Sequence, residues 1–411
     1  MTRYLVGGAV RDQLLGKPVA DRDWVIVGAT AEQMQARGFR PVGRDFPVFL
    51  HPITGEEHAL ARRERKSGPG HRGFQVQADP SVRLEDDLSR RDLTINAMAM
   101  SPDDRLVDPW GGAEDLKRRQ LRHVSDAFIE DPLRVLRVAR FAARLDPLGF
   151  KVAGETMALM TRMVRAGSLA ELAPERIWQE THKALCSDRP AVYFQILRRC
   201  GALEAVFPEL EALFGVPQPP HHHPEIDSGV HTLMVLTAAA RLSHRAELRF
   251  AALLHDLGKA VTEPKCWPRH IGHEPAGVPL IRALCQRLKV PARFQDLAEL
   301  VGGQHMLVHR ALEMKPETLV RYLDRWDAYR RPERFADLLV VCRADAAGRP
   351  GFEEAPYPQK SFLEKVHAAT ADVAAATFVA QGLRGAEVGE AVRALRIERA
   401  REIVAEMRAA S

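Results

Sequence analysis

The segment Leu5-Val6-Gly7-Gly8-Ala9-Val10-Arg11-Asp12 decides how the fold begins, as an apolar strand, a glycine turn and a helix. Asp21-Arg22-Asp23 follows and runs directly into Trp24-Val25-Ile26-Val27, which is typical of a second strand. Residues two apart in a strand point to the same side, so Asp21 and Asp23 share one face. The pattern predicts a pair of carboxylates on a rigid strand, close to a glycine turn.

This combination suits the binding of a nucleoside triphosphate together with metal. Glycine lets backbone amides approach a ligand, a helix N-terminus favours an anion, and Arg11 adds positive charge one turn later. Asp21 and Asp23 supply the hard oxygen ligands that Mg²⁺ prefers. Two divalent ions ~4 Å apart can activate an attacking hydroxyl and stabilise a leaving pyrophosphate. Either motif alone is common as a plain turn or strand entrance, but their proximity favours phosphate chemistry.

Composition excludes several classes of protein. A chain of 411 residues, 46% hydrophobic and 27% charged, predicts a globular protein of two to four compact units. No apolar stretch suits a signal peptide or a membrane span, and the five cysteines are scattered without a C-x-x-C pair. We therefore expect a cytoplasmic protein with no membrane partner. The net charge of +5 is compatible with a polyanionic partner.

The two kinds of periodicity divide the chain. Strand-like runs fall in the first third, at Tyr4–Val6, Trp24–Val27, Val48–His51 and Phe74–Gln77. Beyond about residue 125, apolar residues recur almost only at helical spacing. Glycine and proline predict loops at 66–73 and 214–224. We predict an α+β fold, with a mixed α/β head at 1–125 and an elongated helical remainder made of a neck at 126–215, a body at 228–329 and a tail at 330–411.

A third motif in the head combines two arginines with a carboxylate. Arg90-Arg91-Asp92 precedes the apolar run Leu93-Thr94-Ile95-Asn96-Ala97-Met98, which predicts a helix. Spacing alone favours Asp92 as the N-cap of that helix, with the arginines on the surface. The alternative is that Arg91 contacts a phosphate and Asp92 a ribose hydroxyl.

The next predicted helix has a basic face. Asp131-Pro132 is typical of an N-cap followed by a proline at the first helical position. Four arginines fall on one side of this helix and no acidic residue accompanies them, which favours phosphate binding over plain solvation; they are Arg134, Arg137, Arg140 and Arg144. Asp131 and Arg134 are also neighbours on the helix surface. A carboxylate accepts from an exocyclic amine and an arginine donates to a ring acceptor, so this pair can read cytosine or adenine and reject guanine and uracil.

A second candidate site lies in the helical body. His255-Asp256 ends the apolar run Ala251-Ala252-Leu253-Leu254, and Gly258 is predicted as the helix C-cap. An ionisable pair beside leucines is costly to bury unless a partner or metal satisfies it. The further histidines and carboxylates that could join a transition-metal site are His231, His270, His273, His305 and Asp345. The run at 221–223 is three adjacent histidines, which we predict to be an exposed loop because three neighbours cannot all face one ion.

The motifs of the head resemble those of the class II tRNA nucleotidyltransferases. The matching stretches are L-V-G-G-x-V-R-D at 5–12, D-x-D at 21–23, R-R-D-x-T-I-N-A at 90–97 and E-D-P-L-R at 130–134. The resemblance implies addition of C, C and A to the 3′ end of tRNA from CTP and ATP without a nucleic-acid template. It implies Mg²⁺ on the catalytic residues Asp21 and Asp23. It also implies nucleotide binding by Gly8, Arg11, Arg91, Asp92, Asp131, Arg134, Arg137 and Arg140.

The body resembles the HD phosphohydrolase domain through its H…HD…D pattern. This resemblance implies a catalytic pair, His255 and Asp256, and a metal held by His231, His255, Asp256 and Asp345. The metal would be a transition metal, with Ni²⁺ as one candidate, and the activity a phosphatase, 2′-nucleotidase or 2′,3′-cyclic phosphodiesterase, which suits the repair of damaged tRNA ends. His270, His273 and His305 remain open as ligands. Head and body together resemble the multifunctional CCA proteins of proteobacteria, acting as a monomer or homodimer.

Three alternatives remain. A poly(A) polymerase, or a partial enzyme that adds only CC or only A, would share the head motifs, although the HD block argues against a poly(A) polymerase. An HD hydrolase could carry a head that only binds RNA, although an inactive head would not need both Asp21 and Asp23. A scaffold that binds RNA without catalysis would need neither metal-site motif.

Overall fold

The computed structural model describes residues 1–19, 21–42, 48–66 and 74–409. These residues form two compact units, a first unit at 1–206 and a second unit at 207–411. The first unit contains a mixed sheet followed by helices. In the described part of the second unit, the regular secondary structure is entirely helical. The predicted α+β fold is therefore confirmed. Each helix in the described segments is too short or too polar to span a bilayer.

Seven strands of the first unit form one sheet, in the order β3-β4-β5-β2-β1-β8-β9. β2 and β5 are parallel, and the other neighbours are antiparallel. The bounds of all strands are β1 Thr2–Val6, β2 Asp23–Val27, β3 Arg40–Val42, β4 Val48–Leu50, β5 Glu57–Leu60, β6 Arg63–Lys66, β7 Phe74–Gln77, β8 Ala99–Met100, β9 Leu106–Val107, β10 Gln120–Leu121 and β11 Lys151–Val152. The predicted strands are all present. The loop predicted at 66–73 lies outside the described residues except for Lys66, the last residue of β6.

The sheet has apolar side chains on both faces. Val25 of β2 packs with Val6 and Leu88 in one cluster, while Ile26 packs with Met34 and Phe49 in another. Successive strand residues point to opposite faces, so β2 contributes to both clusters. This central strand is therefore rigid, and Asp23 at its first position is held by a well-packed support.

The helices of the first unit are α1 Gly8–Leu14, α2 Ala31–Ala36, α3 Leu84–Ser89, α4 Gly112–Lys117, α5 Leu133–Leu145, α6 Gly154–Arg165, α7 Pro174–Leu185, α8 Pro190–Arg199 and α9 Ala202–Val206. α5 packs against α7 and α8 through a continuous apolar side that includes Leu136, Ala139 and Ala143. Among the described residues beyond 125, β11 is the one strand, and it pairs with β10. The arginine-bearing side of α5 is consequently left for other partners.

The second unit is a helical assembly. Its helices are α10 Pro208–Glu211, α11 Ser228–Leu242, α12 Ala246–Leu254, α13 His273–Arg287, α14 Ala292–His309, α15 Pro316–Arg325, α16 Pro332–Ala347, α17 Pro358–Ala371, α18 Ala375–Ala380 and α19 Ala386–Ala409. α12 packs against α11, α14 and α16, so the chain that follows α12 starts inside this bundle. The segment 214–224 is a loop, as composition predicts, but it is not simply a surface linker, because Gln218 within it is buried.

Gly258 does not act as the C-cap of α12. The helix ends at Leu254, and Gly258 lies in a short 3₁₀ turn, Leu257–Val261, that packs on α13. A Cβ at Gly258 would lie 1.8 Å from the carbonyl oxygen of His273 and 2.7 Å from the amide nitrogen of Gly277. Glycine is required here for close backbone approach, and this approach brings α13 next to His255-Asp256.

We expect Gly258→Ala to destabilise the protein by about 1–3 kcal/mol or more, because backbone atoms must move to admit the methyl group. Gly389→Ala is the matched control, since Gly389 lies in α19 with open space around its Cβ position. That change should leave stability unchanged or raise it by up to ~1 kcal/mol. Calorimetric thermal unfolding of both variants measures the difference. Equal unfolding temperatures would contradict the close-packing explanation.

Candidate functional site

A cleft of about 620 Å³ in the first unit contains every residue predicted for nucleotide binding. The glycine turn after β1, the entrance of β2, the segment after α3 and the basic side of α5 all reach it. The ten predicted residues that line it are Gly8, Arg11, Asp21, Asp23, Arg91, Asp92, Asp131, Arg134, Arg137 and Arg140. The fold thus brings four separated sequence motifs to one place.

The carboxylate pair and the glycine turn lie side by side in this cleft. Asp21 and Asp23 are both exposed to it. Burial raises the pKa of Asp23, Arg91 lowers it, and the neighbouring Asp21 raises it again, for a net increase. A divalent cation would offset this repulsion, so the donor set fits a hard metal ion. Gly7 has a φ of 69°, and Arg91 Nη1 would lie 2.8 Å from a Cβ there, so glycine is needed at this turn.

Arg11 is almost completely buried beside the turn. Its Nη1 donates to Asn96 Oδ1 at 2.6 Å and its Nη2 lies 2.8 Å from Asp12 Oδ1. Arg144 Nη2 contacts the second oxygen of Asp12 at 3.1 Å. Asp12 therefore fixes two arginines that line the cleft.

Asp92 is buried and serves the local backbone as well as the cleft. Its Oδ1 accepts from the backbone amide of Leu93 at 2.9 Å and from Asn96 Nδ2 at 3.2 Å, while Oδ2 accepts from Arg137 Nε at 2.7 Å. The predicted helix after Asp92 is absent, since Thr94–Asn96 is a single 3₁₀ turn followed by β8. The turn takes the place of a helix because Thr94 bonds to distant residues. Its side-chain hydroxyl donates to Asp115 Oδ2, and its backbone amide donates to the carbonyl oxygen of Arg122.

The expectation that the arginines of α5 have no acidic partners is wrong. Those partners come from distant parts of the sequence: Asp92 for Arg137, Glu180 of α7 for Arg140 and Asp12 of α1 for Arg144. Spacing along one helix could not show them. The basic side of α5 is therefore a set of ion pairs that line the cleft.

The predicted base-reading pair also has partners. Asp131 Oδ1 accepts from the backbone amide of Leu133 at 3.1 Å, and Arg176 Nη2 of α7 contacts Asp131 Oδ2 at 3.0 Å. Arg134 is buried and donates to the backbone carbonyls of Ala127 and Arg90 at 2.5 and 2.6 Å. Both side chains are thus held in place at the cleft wall.

Several cleft residues were missed by the sequence reasoning, namely Asp12, Arg62, Arg90, Asn96, Phe141 and Arg176. Asn96 and Arg90 stood inside a quoted motif, so their proximity to Arg91 was a usable signal. No sequence pattern indicated Arg176, because only the packing of α7 on α5 brings this residue to Asp131.

The second unit contains a buried cluster of histidines and carboxylates. His231, His255 and Asp345 offer ligand atoms that lie within 4.8 Å of one another. His231 Nε2 lies 3.0 Å from Asp345 Oδ1, and His255 Nε2 lies 3.7 Å from the same oxygen. These three residues come from α11, the end of α12 and α16, and all were predicted.

A second group adjoins the first. Asp256 Oδ1 lies 3.4 Å from His273 Nε2 and 3.5 Å from His305 Nε2, and these ligand atoms also fall within 4.8 Å of one another. The two groups meet where His255 Nε2 lies 3.1 Å from Asp256 Oδ2. Of the histidines left open by the sequence, His273 and His305 therefore join the cluster. His270 does not, because its ring nitrogens contact Thr262 and the carbonyl oxygen of Pro217.

The cluster fits a metal ion because of the chemistry of its donor atoms and because several of them have no hydrogen-bond partner. His255 Nε2 and both carboxylate oxygens of Asp256 are buried without a hydrogen bond of acceptable geometry among the described residues, although Lys259 Nζ lies 2.6 Å from Asp256 Oδ2. Buried polar atoms without partners are costly, and imidazole with carboxylate suits transition metals.

Further residues at this cluster carried no motif. His309 Nε2 donates to Asp345 Oδ2 at 2.7 Å, and Tyr357 donates its hydroxyl to His309 Nδ1 at 2.9 Å. The prediction for 221–223 is correct for His221 and His222 but wrong for His223. That residue is half-buried and lies 2.9 Å from Glu225. The turn at Pro219 through His223 points one of the three rings inward.

Three family models match the chain. They are the Poly A polymerase head domain at residues 3–122, the probable RNA and SrmB-binding site of polymerase A at 149–214, and the HD domain at 229–331. The site and these matches define a nucleotidyltransferase that carries an HD domain.

Relatives identify the family. The multifunctional CCA protein of Thioalkalivibrio sulfidiphilus is 58% identical over 406 residues, which cover 99% of both chains. This chain therefore belongs to the multifunctional CCA protein family. Among solved structures, the CCA-adding enzyme of Bacillus stearothermophilus in complex with CTP has a TM-score of 0.63 at 24% identity, covering 96% of this chain and 87% of that one. The Thermotoga maritima CCA-adding enzyme complexed with tRNA_CCA has a TM-score of 0.63 at 19% sequence identity, and the match covers 100% of this chain and 91% of that one. Both show that the fold is shared.

Proposed function

We propose that the first unit adds C, C and A in turn to the 3′ end of tRNA, from CTP and ATP and without a template. The tRNA 3′-hydroxyl oxygen attacks the α-phosphorus, loses its proton and forms the new ester bond, while pyrophosphate leaves. The observation that carries this proposal is the placement of Asp21, Asp23, the Gly8 turn and the Asp131/Arg134 pair around one cleft. Mg²⁺ held by Asp21 and Asp23 would lower the pKa of the hydroxyl and stabilise the leaving charge.

The residues of the cleft divide the nucleotide between them. Gly8 and Arg11 would bind the triphosphate, Arg91 a phosphate and Asp92 the ribose, with Arg137 and Arg140 also on the nucleotide; all six line the cleft. Asp131 and Arg134 present an acceptor and a donor to the base. Cytosine and adenine each have an amine beside a ring acceptor, whereas uracil and guanine do not in that position.

The test is an incubation with tRNA lacking its 3′ CCA, in which CTP and ATP are supplied separately and together. CTP alone should extend the tRNA by two residues and both nucleotides by three. Extension by an unlimited number of A residues would support a poly(A) polymerase instead. No extension under any condition would favour a head that only binds RNA.

Arg176→Ala should weaken base selection. Arg176 holds Asp131 through a charge-assisted contact, and losing such a contact costs about 1.5–3 kcal/mol. We expect kcat/KM for CTP and ATP to fall about tenfold or more. The relative use of UTP should rise. Arg105→Ala is the control, because this arginine is 82% exposed and outside the cleft. Equal selectivity in the two variants would contradict a positioning role for Arg176.

We propose that the HD cluster of the second unit is a metal-dependent phosphohydrolase for 2′-phosphates and 2′,3′-cyclic phosphates. In this reaction water attacks phosphorus, the P–O ester bond breaks and the alcohol leaves with a proton. The buried, unsatisfied atoms of His255 and Asp256 support it. His231, His255, Asp256 and Asp345 would hold a transition metal that lowers the pKa of water, and Ni²⁺ is one candidate.

The two proposed activities fit one task. A tRNA end that carries a 2′- or 2′,3′-cyclic phosphate has a modified or blocked terminal ribose, and nucleotide addition needs a free 3′-hydroxyl. Removal of the phosphate would restore that acceptor, which suits RNA repair. Phosphate release from adenosine 2′-phosphate, measured before and after chelation and after return of Ni²⁺, Mn²⁺ or Mg²⁺, tests the hydrolase. Release that is insensitive to chelation would sink the metal-dependent mechanism.

A further inference from the structure

The proline- and histidine-rich loop that precedes α11 reaches into the HD cluster. Gln218 is 1% exposed, and its Oε1 accepts a hydrogen bond from Lys259 Nζ. The carbonyl oxygen of Pro217 lies 2.7 Å from His270 Nε2. A loop that only connected helices would not bury a glutamine against the lysine beside Asp256, so the positions of these side chains need another explanation.

Glu225 supplies the closest contact of this loop with the cluster. Its side chain is 2% exposed, and Oε1 lies 2.8 Å from His231 Nδ1 and 2.9 Å from His223 Nδ1. Its second oxygen, Oε2, is buried without a hydrogen-bond partner among the described residues. A buried carboxylate that is only half satisfied is costly to keep for stability alone.

His231 faces two ways. Its ring is fully buried. Nδ1 lies 2.8 Å from Glu225 Oε1, an ion-pair distance that does not have the geometry of a hydrogen bond, and Nε2 lies 3.0 Å from Asp345 Oδ1. A neutral imidazole has one N–H and one lone pair. If Nδ1 carries the proton toward Glu225, the lone pair stands on Nε2, on the side where His255 and Asp345 lie. A carboxylate in contact with the far nitrogen of a histidine ligand favours the tautomer with its proton on that nitrogen and restricts the orientation of the ring.

We propose that Glu225 is a positioning residue of the HD metal centre, which holds His231 with its Nε2 lone pair directed at the metal. The inference rests on the proposed hydrolase function and adds to it a residue outside the H…HD…D pattern. His223 assists by contacting the same Glu225 oxygen and by packing its ring edge-on against His231 at 4.6 Å. In this proposal the loop at 217–225 belongs to the hydrolytic centre, because it supplies the side chains that position His231.

The experiment is a titration of the metal-free full-length protein with Ni²⁺ and with Mn²⁺ by calorimetry, for the wild type and three variants. Glu225→Gln keeps the shape and a weaker acceptor and should raise the Kd about tenfold. Glu225→Leu removes the acceptor and should raise it toward about a hundredfold, the range seen when outer partners of metal ligands are lost. His222→Ala is the control, because His222 is adjacent and exposed, and its Kd should equal that of the wild type.

Two further measurements separate positioning from folding. The unfolding temperature and the rate of CCA addition should stay unchanged in Glu225→Gln, while metal affinity and phosphate release fall together. If Glu225→Leu does not fold, Glu225→Gln decides. A Kd in Glu225→Gln equal to that of the wild type would overturn the inference while leaving the hydrolase in place. If His255→Ala instead binds the metal as tightly as the wild type does, the proposed metal centre itself would be wrong.

Discussion

A variant with both Asp21→Ala and Asp23→Ala should lose nucleotide addition to tRNA by a factor of at least about a thousand. Metal ions at such a site stabilise transition-state charge by several kcal/mol, and each 1.36 kcal/mol is a factor of ten in rate. Both carboxylates are exposed to the cleft that holds the predicted triphosphate residues. The measurement is incorporation of labelled CTP and ATP into tRNA that lacks CCA.

The matched control for this variant is Asp103→Ala. Asp103 is an exposed carboxylate of the same unit that does not line the cleft, so addition should proceed as in the wild type. Phosphate release from adenosine 2′-phosphate should also persist in the double variant, which shows that the protein is folded. Substantial addition by the double variant would mean that other residues bind the metal, and the proposed catalytic roles would be wrong.

His255→Ala should reduce metal-dependent phosphate release by more than about a hundredfold and leave CCA addition intact. Loss of an outer partner of a metal ligand alone costs up to about a hundredfold, and His255 is predicted to be a ligand itself. Its Nε2 lies between Asp256 and Asp345, at 3.1 and 3.7 Å. Release of inorganic phosphate from adenosine 2′-phosphate in the presence of Ni²⁺ provides the measurement.

His244→Ala is the corresponding control, because His244 is an exposed histidine in the same unit. Loss of both activities in His255→Ala, with normal unfolding temperature, would mean that the two sites depend on each other. Loss of neither would assign the hydrolysis to other groups, or would show that the HD cluster is a structural metal site.

Local patterns in the sequence predict most of the elements around the first site. The apolar run at Trp24 to Val27 lies in β2, and the periodicity at 131–145 corresponds to α5. These predictions succeed because burial imposes a period of two or of 3.6 on neighbouring residues. The helix predicted after Asp92 fails because Thr94 makes its contacts with the distant residues Asp115 and Arg122, and a local pattern contains no information about them.

Contacts between distant segments account for what was missed at the sites. Arg176 reaches the cleft, and Glu180 reaches Arg140 of the cleft wall, because α7 packs on α5. Glu225 stands in a stretch whose composition is typical of a linker, and its role depends on the position of His231 on the next helix. Gly258 was assigned to a helix end because Gly often caps helices, whereas its actual role is steric contact with the backbone of α13.

The ion pairs of the cleft have a consequence for how it selects its ligand. Asp12, Asp87, Asp92, Glu180 and Asp131 each neutralise at least one lining arginine. An incoming phosphate chain therefore competes with these carboxylates for contacts with the arginines. The free energy of binding is the difference between two sets of contacts, so a ligand with fewer negative charges displaces the carboxylates less well. We therefore expect the cleft to bind a triphosphate more tightly than a diphosphate, while the ion pairs hold its arginines in place when no nucleotide is bound.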